Sequence, residues 1–250
     1  MNNYILETRG LTKEFKGFVA VSDVALKVRR GSIHALIGPN GAGKTTVFNL
    51  LTRFLAVTSG TIWFKDQDIT GLRPAQIARR GIVRSFQISS TFPHMSVLEN
   101  VRVALQRKLS NSFHFWRSER GLNALDGRAR ELLAAVDLAQ HANVRAVELP
   151  YGRKRALELA TTLAVEPELL LLDEPTQGMA HEDVGRVVEL IRRIAVGRTV
   201  LMVEHNLSVV EDLCDTITVL ARGAVLAEGG YTEIARNPQV LEAYVGSIDE

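Results

Sequence analysis

The residues Gly38-Pro39-Asn40-Gly41-Ala42-Gly43-Lys44-Thr45 satisfy the pattern G-x-x-x-x-G-K-[ST] in full. Glycines at these spacings let a backbone curl closely, so that successive amide N–H groups converge on an anion. A helix beginning where the curl ends adds the positive end of its dipole. Lys44 supplies a point charge for the β- and γ-phosphates of a nucleotide, and the Thr45 hydroxyl can ligate Mg²⁺. A plain glycine turn between strand and helix is the alternative, but the apolar run before it and the helical pattern after it favour phosphate. Further along, Leu169-Leu170-Leu171-Leu172 closes on Asp173-Glu174. Asp173, at the carboxyl end of such a strand, can hold Mg²⁺ through a water. Glu174 can orient and deprotonate the attacking water. Adjacent carboxylates are common on surfaces; behind an all-leucine run and downstream of a phosphate loop they read as catalytic.

These groups need elements to hold them. Ser32-Ile33-His34-Ala35-Leu36-Ile37 is a mostly apolar run stopped by glycine and proline, the pattern of a buried strand entering a loop. Val47, Leu50, Leu51 and Phe54 stand at helical spacing and predict a helix over 45–55. Residues 5–11, 25–28 and 60–64 read as strands, which makes the N-terminal third a β-rich layer around the loop. The middle turns helical at 97–101 and 129–136. Between them, 110–121 holds Phe113, Phe115 and Trp116, read as aromatics packed under a loop, with an independent binding site as the alternative. Ala156, Leu159, Ala160, Leu163 and Ala164 mark one later helix face; Val184, Val187, Val188, Ile191 and Ile194 mark another. A β-run at 199–203 leads to Glu204-His205, and 216–220 with 224–227 flank Arg222-Gly223 as a hairpin. Strands alternating with helices predict a mainly parallel sheet covered on both faces.

The chain has 250 residues, 46% hydrophobic and 23% charged, which fits an ordinary folded domain and neither a fibre nor a disordered chain. No run approaches the roughly 18–20 apolar residues of a membrane-crossing helix. Met1-Asn2-Asn3-Tyr4 shows neither a basic leader nor an apolar signal core, so secretion is not expected. The single cysteine, Cys214, cannot form an internal disulfide and suits a reducing compartment. A formal net charge of +2 is too small to imply nucleic acid.

Residues 38–46, Gln87, Leu149-Pro150-Tyr151-Gly152, 169–175 and His205 occur in the order and approximate spacing of ABC transporter ATP-binding subunits. The resemblance extends over essentially the whole chain. It implies an α/β fold of the P-loop NTPase, ABC type: a mainly parallel sheet, an N-terminal antiparallel β-layer and a helical subdomain. All of 1–250 would form one ATP-binding domain, with a RecA-like core at about 1–87 and 155–250 and the helical subdomain at about 88–154. It implies ATP and Mg²⁺, with Gly38, Pro39, Asn40, Gly41, Ala42, Gly43, Lys44, Thr45 and Thr46 around the phosphates. Phe15 resembles the aromatic that stacks on adenine, with Val21 beside it; core packing is the alternative for Phe15. Gln87 resembles the glutamine that reaches Mg²⁺ and the attacking water, so Thr45, Gln87 and Asp173 would face the metal. His205 resembles the switch histidine on the γ-phosphate, acting with Glu174 and Gln87 in hydrolysis. Leu149, Pro150, Tyr151 and Gly152 resemble the signature that covers a nucleotide held by a second ATP-binding subunit, identical or paralogous.

The signature departs from the common Leu-Ser-Gly-Gly-Gln. Pro150 stands where a serine hydroxyl would bond the γ-phosphate across the pair, and a hydrogen bond to a charged group is worth roughly 1.5–3 kcal/mol. With Thr176-Gln177-Gly178-Met179-Ala180 and the ending Asn237-Pro238-Gln239-Val240-Leu241-Glu242-Ala243-Tyr244-Val245-Gly246, it narrows the resemblance to the branched-chain amino acid importer branch, the LivG type. That branch implies separate permease subunits, a periplasmic solute-binding protein acting indirectly, and a peripheral place on the cytoplasmic face of the cell membrane. Related members serve urea, short amides or other hydrophobic amino acids. A soluble ABC ATPase acting on nucleic acid or ribosomes is the rival, prompted by Arg79-Arg80, Arg153-Lys154-Arg155 and Arg192-Arg193; the chain lacks the long coiled coil or second cassette of such proteins, and no nucleic acid is expected. A nucleotide kinase would need an acceptor lid and would leave the signature without a purpose.

Overall fold

The computed structural model describes residues 3–85, 91–106, 125–179 and 181–245. The aromatic segment at 110–121 and Gln87 therefore lie outside the described residues. The chain divides into two compact units: Met1–Arg84, Glu168–Thr176 and Ala195–Glu250 form one, and Ser85–Pro167 with Gln177–Ile194 the other.

In the first unit, β1 (Tyr4–Phe15) pairs antiparallel with β2 (Phe18–Val24), β3 (Lys27–Arg29) and β5 (Ser59–Phe64), and β5 pairs with the short β6 (Gln67–Asp68). This is the expected antiparallel layer, but β1 is longer than 5–11 and β2 is an additional strand. The hairpin between them turns through Lys16 and Gly17, both at positive φ (48° and 91°), a less legible turn than Asn-Gly.

The second sheet takes β4 (Ile33–Ile37), β7 (Ile82–Ser85), β8 (Leu169–Asp173), β9 (Thr199–Val203), β10 (Thr216–Ala221) and β11 (Ala224–Gly229), in the order β11-β10-β4-β9-β8-β7. The pairs β10–β4, β4–β9 and β9–β8 are parallel, and the late hairpin supplies the antiparallel β11. β8 and β9 are buried at every residue, which is why they read as unbroken apolar runs. Helix α1 (Lys44–Leu51) places Val47, Phe48, Leu50 and Leu51 in one core with Leu6, Ile62 and Phe64 of the layer and Leu36, Leu171 and Leu201 of the sheet. It stops short of residue 55 because Arg53 takes φ 60°, which leaves Phe54 exposed.

The first unit also holds the short α2 (Pro74–Arg79); in the second unit, α3 (Val97–Gln106), α4 (Asp126–Ala135), α5 (Tyr151–Leu163) and α6 (His181–Ala195) carry the predicted helical patterns. Ser96 and Glu99 exchange side-chain bonds with each other's backbone N–H (3.2 and 2.7 Å), a capping box that starts α3. The buried Asn100 accepts from Phe92 N–H at 2.7 Å and donates to Ser96 O at 2.9 Å, tying the preceding loop to that helix. The expected subdomain boundary at 154/155 lies within α5, whereas the contact division keeps α5 whole in the helical unit, with most of α6.

Candidate functional site

Parallel pairing decides where the chemistry gathers. Leu36 and Asp173 are both register partners of Val203, so β4, β8 and β9 end at one edge of the sheet. The phosphate loop leaves the first of these, Asp173-Glu174 the second and Glu204-His205 the third. Ligands of open α/β sheets bind outside such carboxyl ends.

The loop is shaped by close approaches. A Cβ on Gly38 would collide with Leu220 O, and one on Gly43 would stand 2.7 Å from Ala20 O. Both glycines have positive φ (147° and 99°), so no other residue fits without moving backbone. Gly223, in the β10–β11 turn, accepts from Ser22 N–H at 2.8 Å and donates to Ala42 O at 3.1 Å, clipping the loop between the layer and the sheet. Lys44 is buried, and its Nζ donates to Gly38 O (2.6 Å) and Pro39 O (2.9 Å). Burial pushes the ammonium below its ordinary pKa, while the nearby Glu174 and Asp173 charges pull it back up. Asn40, Gly41 and Thr45 are exposed, Pro39 and Thr46 half-buried and Ala42 buried, so the rim of the loop is open.

Asp173 is buried and ion-paired with Arg84. Glu174 takes φ 45°, uncommon for a residue with a Cβ, and its N–H donates to Val203 O at 2.9 Å. Such a conformation costs of order 1–3 kcal/mol and persists where the surroundings over-determine it. The residue that does so escapes sequence reasoning. Glu204 is fully buried; one carboxylate oxygen accepts from Thr176 N–H (3.0 Å) and Oγ1 (2.6 Å), the other from His205 N–H (3.1 Å) and Asn206 N–H (3.2 Å). It holds the chain just after Glu174 to the start of the His205 segment. An acidic residue closing an apolar strand is its only signal. The His205 side chain is 57% exposed and able to face a ligand.

Thr45 and Asp173 offer oxygen donors of the kind a hard cation takes. Among the described residues no group of three or more His, Cys, Asp or Glu could hold a metal. An ion there would lean on phosphate and water, the habit of Mg²⁺.

Phe15 is 41% exposed and lies in cross-strand register with Phe18, with Lys13 Nζ 4.9 Å from the Phe15 ring centre. An open aromatic face can stack a purine. Val21 is fully buried, with Cγ2 beneath Gly43, so it packs under the phosphate loop. Its half-buried neighbour Ala20 is the position with surface to offer.

In the helical unit, Leu149 is buried and Pro150 is the N-cap of α5, without a side-chain capping bond. The first-turn N–H groups at Tyr151 and Gly152 therefore keep their capacity for an anion. Tyr151 is 40% exposed, and its hydroxyl donates to Gln177 O at 3.1 Å, tying the signature to the segment before α6. Beside them a cavity of about 690 Å³ is lined by Pro150, Gly152, Arg153, Asp137, Asp183 and Arg193.

A family model described as "ABC transporter" matches residues 21–177. The chain belongs to the ABC transporter family. Its cassette is 40% identical to the high-affinity branched-chain amino acid transport ATP-binding protein LivG of Salmonella typhimurium, over 98% of this chain and 99% of that one. It is 41% identical to the corresponding BraF of Pseudomonas aeruginosa, with the same coverage. A second model, "Branched-chain amino acid ATP-binding cassette transporter", matches residues 224–250. Among solved structures, the ADP conformation of MJ1267, an ATP-binding cassette of an ABC transporter, superposes with TM-score 0.85 at 29% identity, over 98% of this chain and 100% of that one. This ABC cassette is thus an ATP-binding and ATP-hydrolysing subunit of a transporter, with the fold the motifs implied.

Proposed function

We propose that this ABC cassette hydrolyses MgATP on the cytoplasmic face of the cell membrane to drive uptake of branched-chain amino acids through separate permease subunits. A second ATP-binding subunit would complete each nucleotide site, and a periplasmic solute-binding protein would deliver the solute. The carrying observation is the match of the C-terminal model at 224–250, together with relatives named for this transport. No helix among the described residues is long and apolar enough to cross a membrane, which agrees with permeases on other chains.

The loop amides and Lys44 bind the phosphates, and Phe15 stacks the base. Thr45 and Asp173, with Gln87, would hold Mg²⁺, which when bound would supply positive charge to the β- and γ-phosphates. Glu174 accepts the proton of the attacking water while His205 steadies the γ-phosphate. Gly152 and the first turn of α5 cover the nucleotide of the partner subunit.

The test is uptake in proteoliposomes containing the purified complex. ATP-dependent accumulation of radiolabelled leucine is expected, lost in Glu174→Gln. Accumulation of urea or a short amide in place of leucine would overturn the substrate. Near-normal ATP turnover in Glu174→Gln would remove that residue from its role.

A further inference from the structure

Arg84 is the penultimate residue of β7, a few residues before Gln87. Its guanidinium grips Asp173 Oδ2, and the two side chains are only 10% and 6% exposed. Its Nη1 donates to Asn49 Oδ1 at 2.6 Å, and its Cζ lies 5.7 Å from the centre of the Phe48 ring. Asn49 and Phe48 belong to α1, the helix that begins at Lys44. One side chain thus joins the strand before Gln87, the strand end bearing Asp173 and the phosphate-binding helix.

A buried ion pair is a poor source of stability, because desolvating both charges offsets most of their attraction. What this pair provides is placement. Asp173 and Glu174 set two carboxylates side by side, and without a counter-charge the buried Asp173 would swing toward water or toward Lys44. A planar fork anchored by Asn49 and stacked on Phe48 restrains the carboxylate in both position and rotation.

We propose that Arg84 is a positioning residue of the ATPase: by holding one oxygen of Asp173 it presents the other to the water shell of Mg²⁺ before nucleotide arrives. This rests on Asp173 facing the metal. Losing an outer-shell partner of a metal-facing carboxylate typically costs about 10- to 100-fold in metal affinity or activity.

The experiment measures Mn²⁺ binding to the full-length protein saturated with ADP, by electron paramagnetic resonance, and ADP affinity in EDTA by fluorescent-nucleotide displacement. Arg84→Gln and Arg84→Met, the latter keeping the stem against Phe48, are expected to weaken Mn²⁺ about 10- to 100-fold. Metal-free ADP affinity should stay within about twofold of the parent, since Asp173, Asn49 and Phe48, which Arg84 contacts, are not phosphate ligands in this reading. Arg84→Lys should recover part of the loss. Unchanged Mn²⁺ affinity with a lowered melting temperature would overturn the proposal and leave a structural staple; tighter Mn²⁺ binding would overturn it by making Arg84 a competitor of the ion. Asp173→Asn separates the two layers. If it leaves Mn²⁺ affinity intact, the reading of Asp173 falls and the proposal with it; if it weakens Mn²⁺ while the Arg84 variants do not, only the proposal falls.

Discussion

Lys44 illustrates how much chemistry one side chain holds in suspension. Its ammonium is taken from water, stitched to Gly38 O and Pro39 O and drawn toward two carboxylates. Lys44→Ala should weaken nucleotide binding severely in a fluorescent-nucleotide titration, whereas Glu174→Gln should retain binding and lose turnover by about 10²–10⁴-fold. A second buried residue sets a pH limit. His34 Nε2 lies 2.8 Å from Thr218 Oγ1, whose own proton goes to Glu228 Oε2, so His34 must carry its hydrogen on Nε2. Its Nδ1 has no hydrogen-bond partner among the described residues. Burial, helped by the Arg29 charge, lowers its pKa from 6.5 to about 4. The folded state keeps this ring neutral while the unfolded chain protonates it, so stability is full above pH 6.5 and falls away toward pH 4. The loss should reach about 2 kcal/mol near pH 5. Urea denaturation at pH 7.5 and 5 tests this: the parent should lose more stability between the two than His34→Gln does.

At the scale of elements, the site depends on clips that no local pattern announces. The β10–β11 turn binds the phosphate loop through Gly223, and Gly38 packs on Leu220 O, so strands remote in sequence set the loop's curvature. Gly38→Ala should therefore disturb the loop by pushing a Cβ into a carbonyl, costing more than the roughly 1 kcal/mol of an ordinary glycine substitution and lowering nucleotide affinity together with melting temperature. Glu204 is the corresponding clip on the catalytic side. Glu204→Gln offers an N–H₂ group where an oxygen must accept, so at least one of its four donor contacts is opposed. We expect a fall of a few kcal/mol in stability, read by thermal denaturation, and a kcat loss larger than any change in KM for ATP.

For the molecule as a whole, the consequential departure is Pro150. It caps α5 without offering a hydroxyl, so the signature must rely on its own N–H groups and helix dipole. Restoring the hydroxyl with Pro150→Ser should tighten ATP-dependent pairing of cassettes by roughly 1.5–3 kcal/mol in a Glu174→Gln background, followed by analytical ultracentrifugation. An unchanged dimerisation constant would mean that the backbone already supplies all the grip this branch uses.

The phosphate loop, the acidic pair, the His205 segment and the parallel α/β character are legible in the chain because each is a contiguous run whose chemistry and hydrophobic period are local. The long β1–β2 hairpin is not, since its turn uses Lys16-Gly17, and neither is the division of the helical unit, which follows the packing of α5. Val21, buried beneath Gly43, shows the limit of local pattern: alternation along a strand tells which residues share a face, not which face another element will cover. Glu204, Arg84 and Gly223 act across strands far apart in sequence, and their partners exist only once β4, β8, β9 and β10 lie side by side. Local pattern could name the reacting groups; only packing between distant segments could hold them in place.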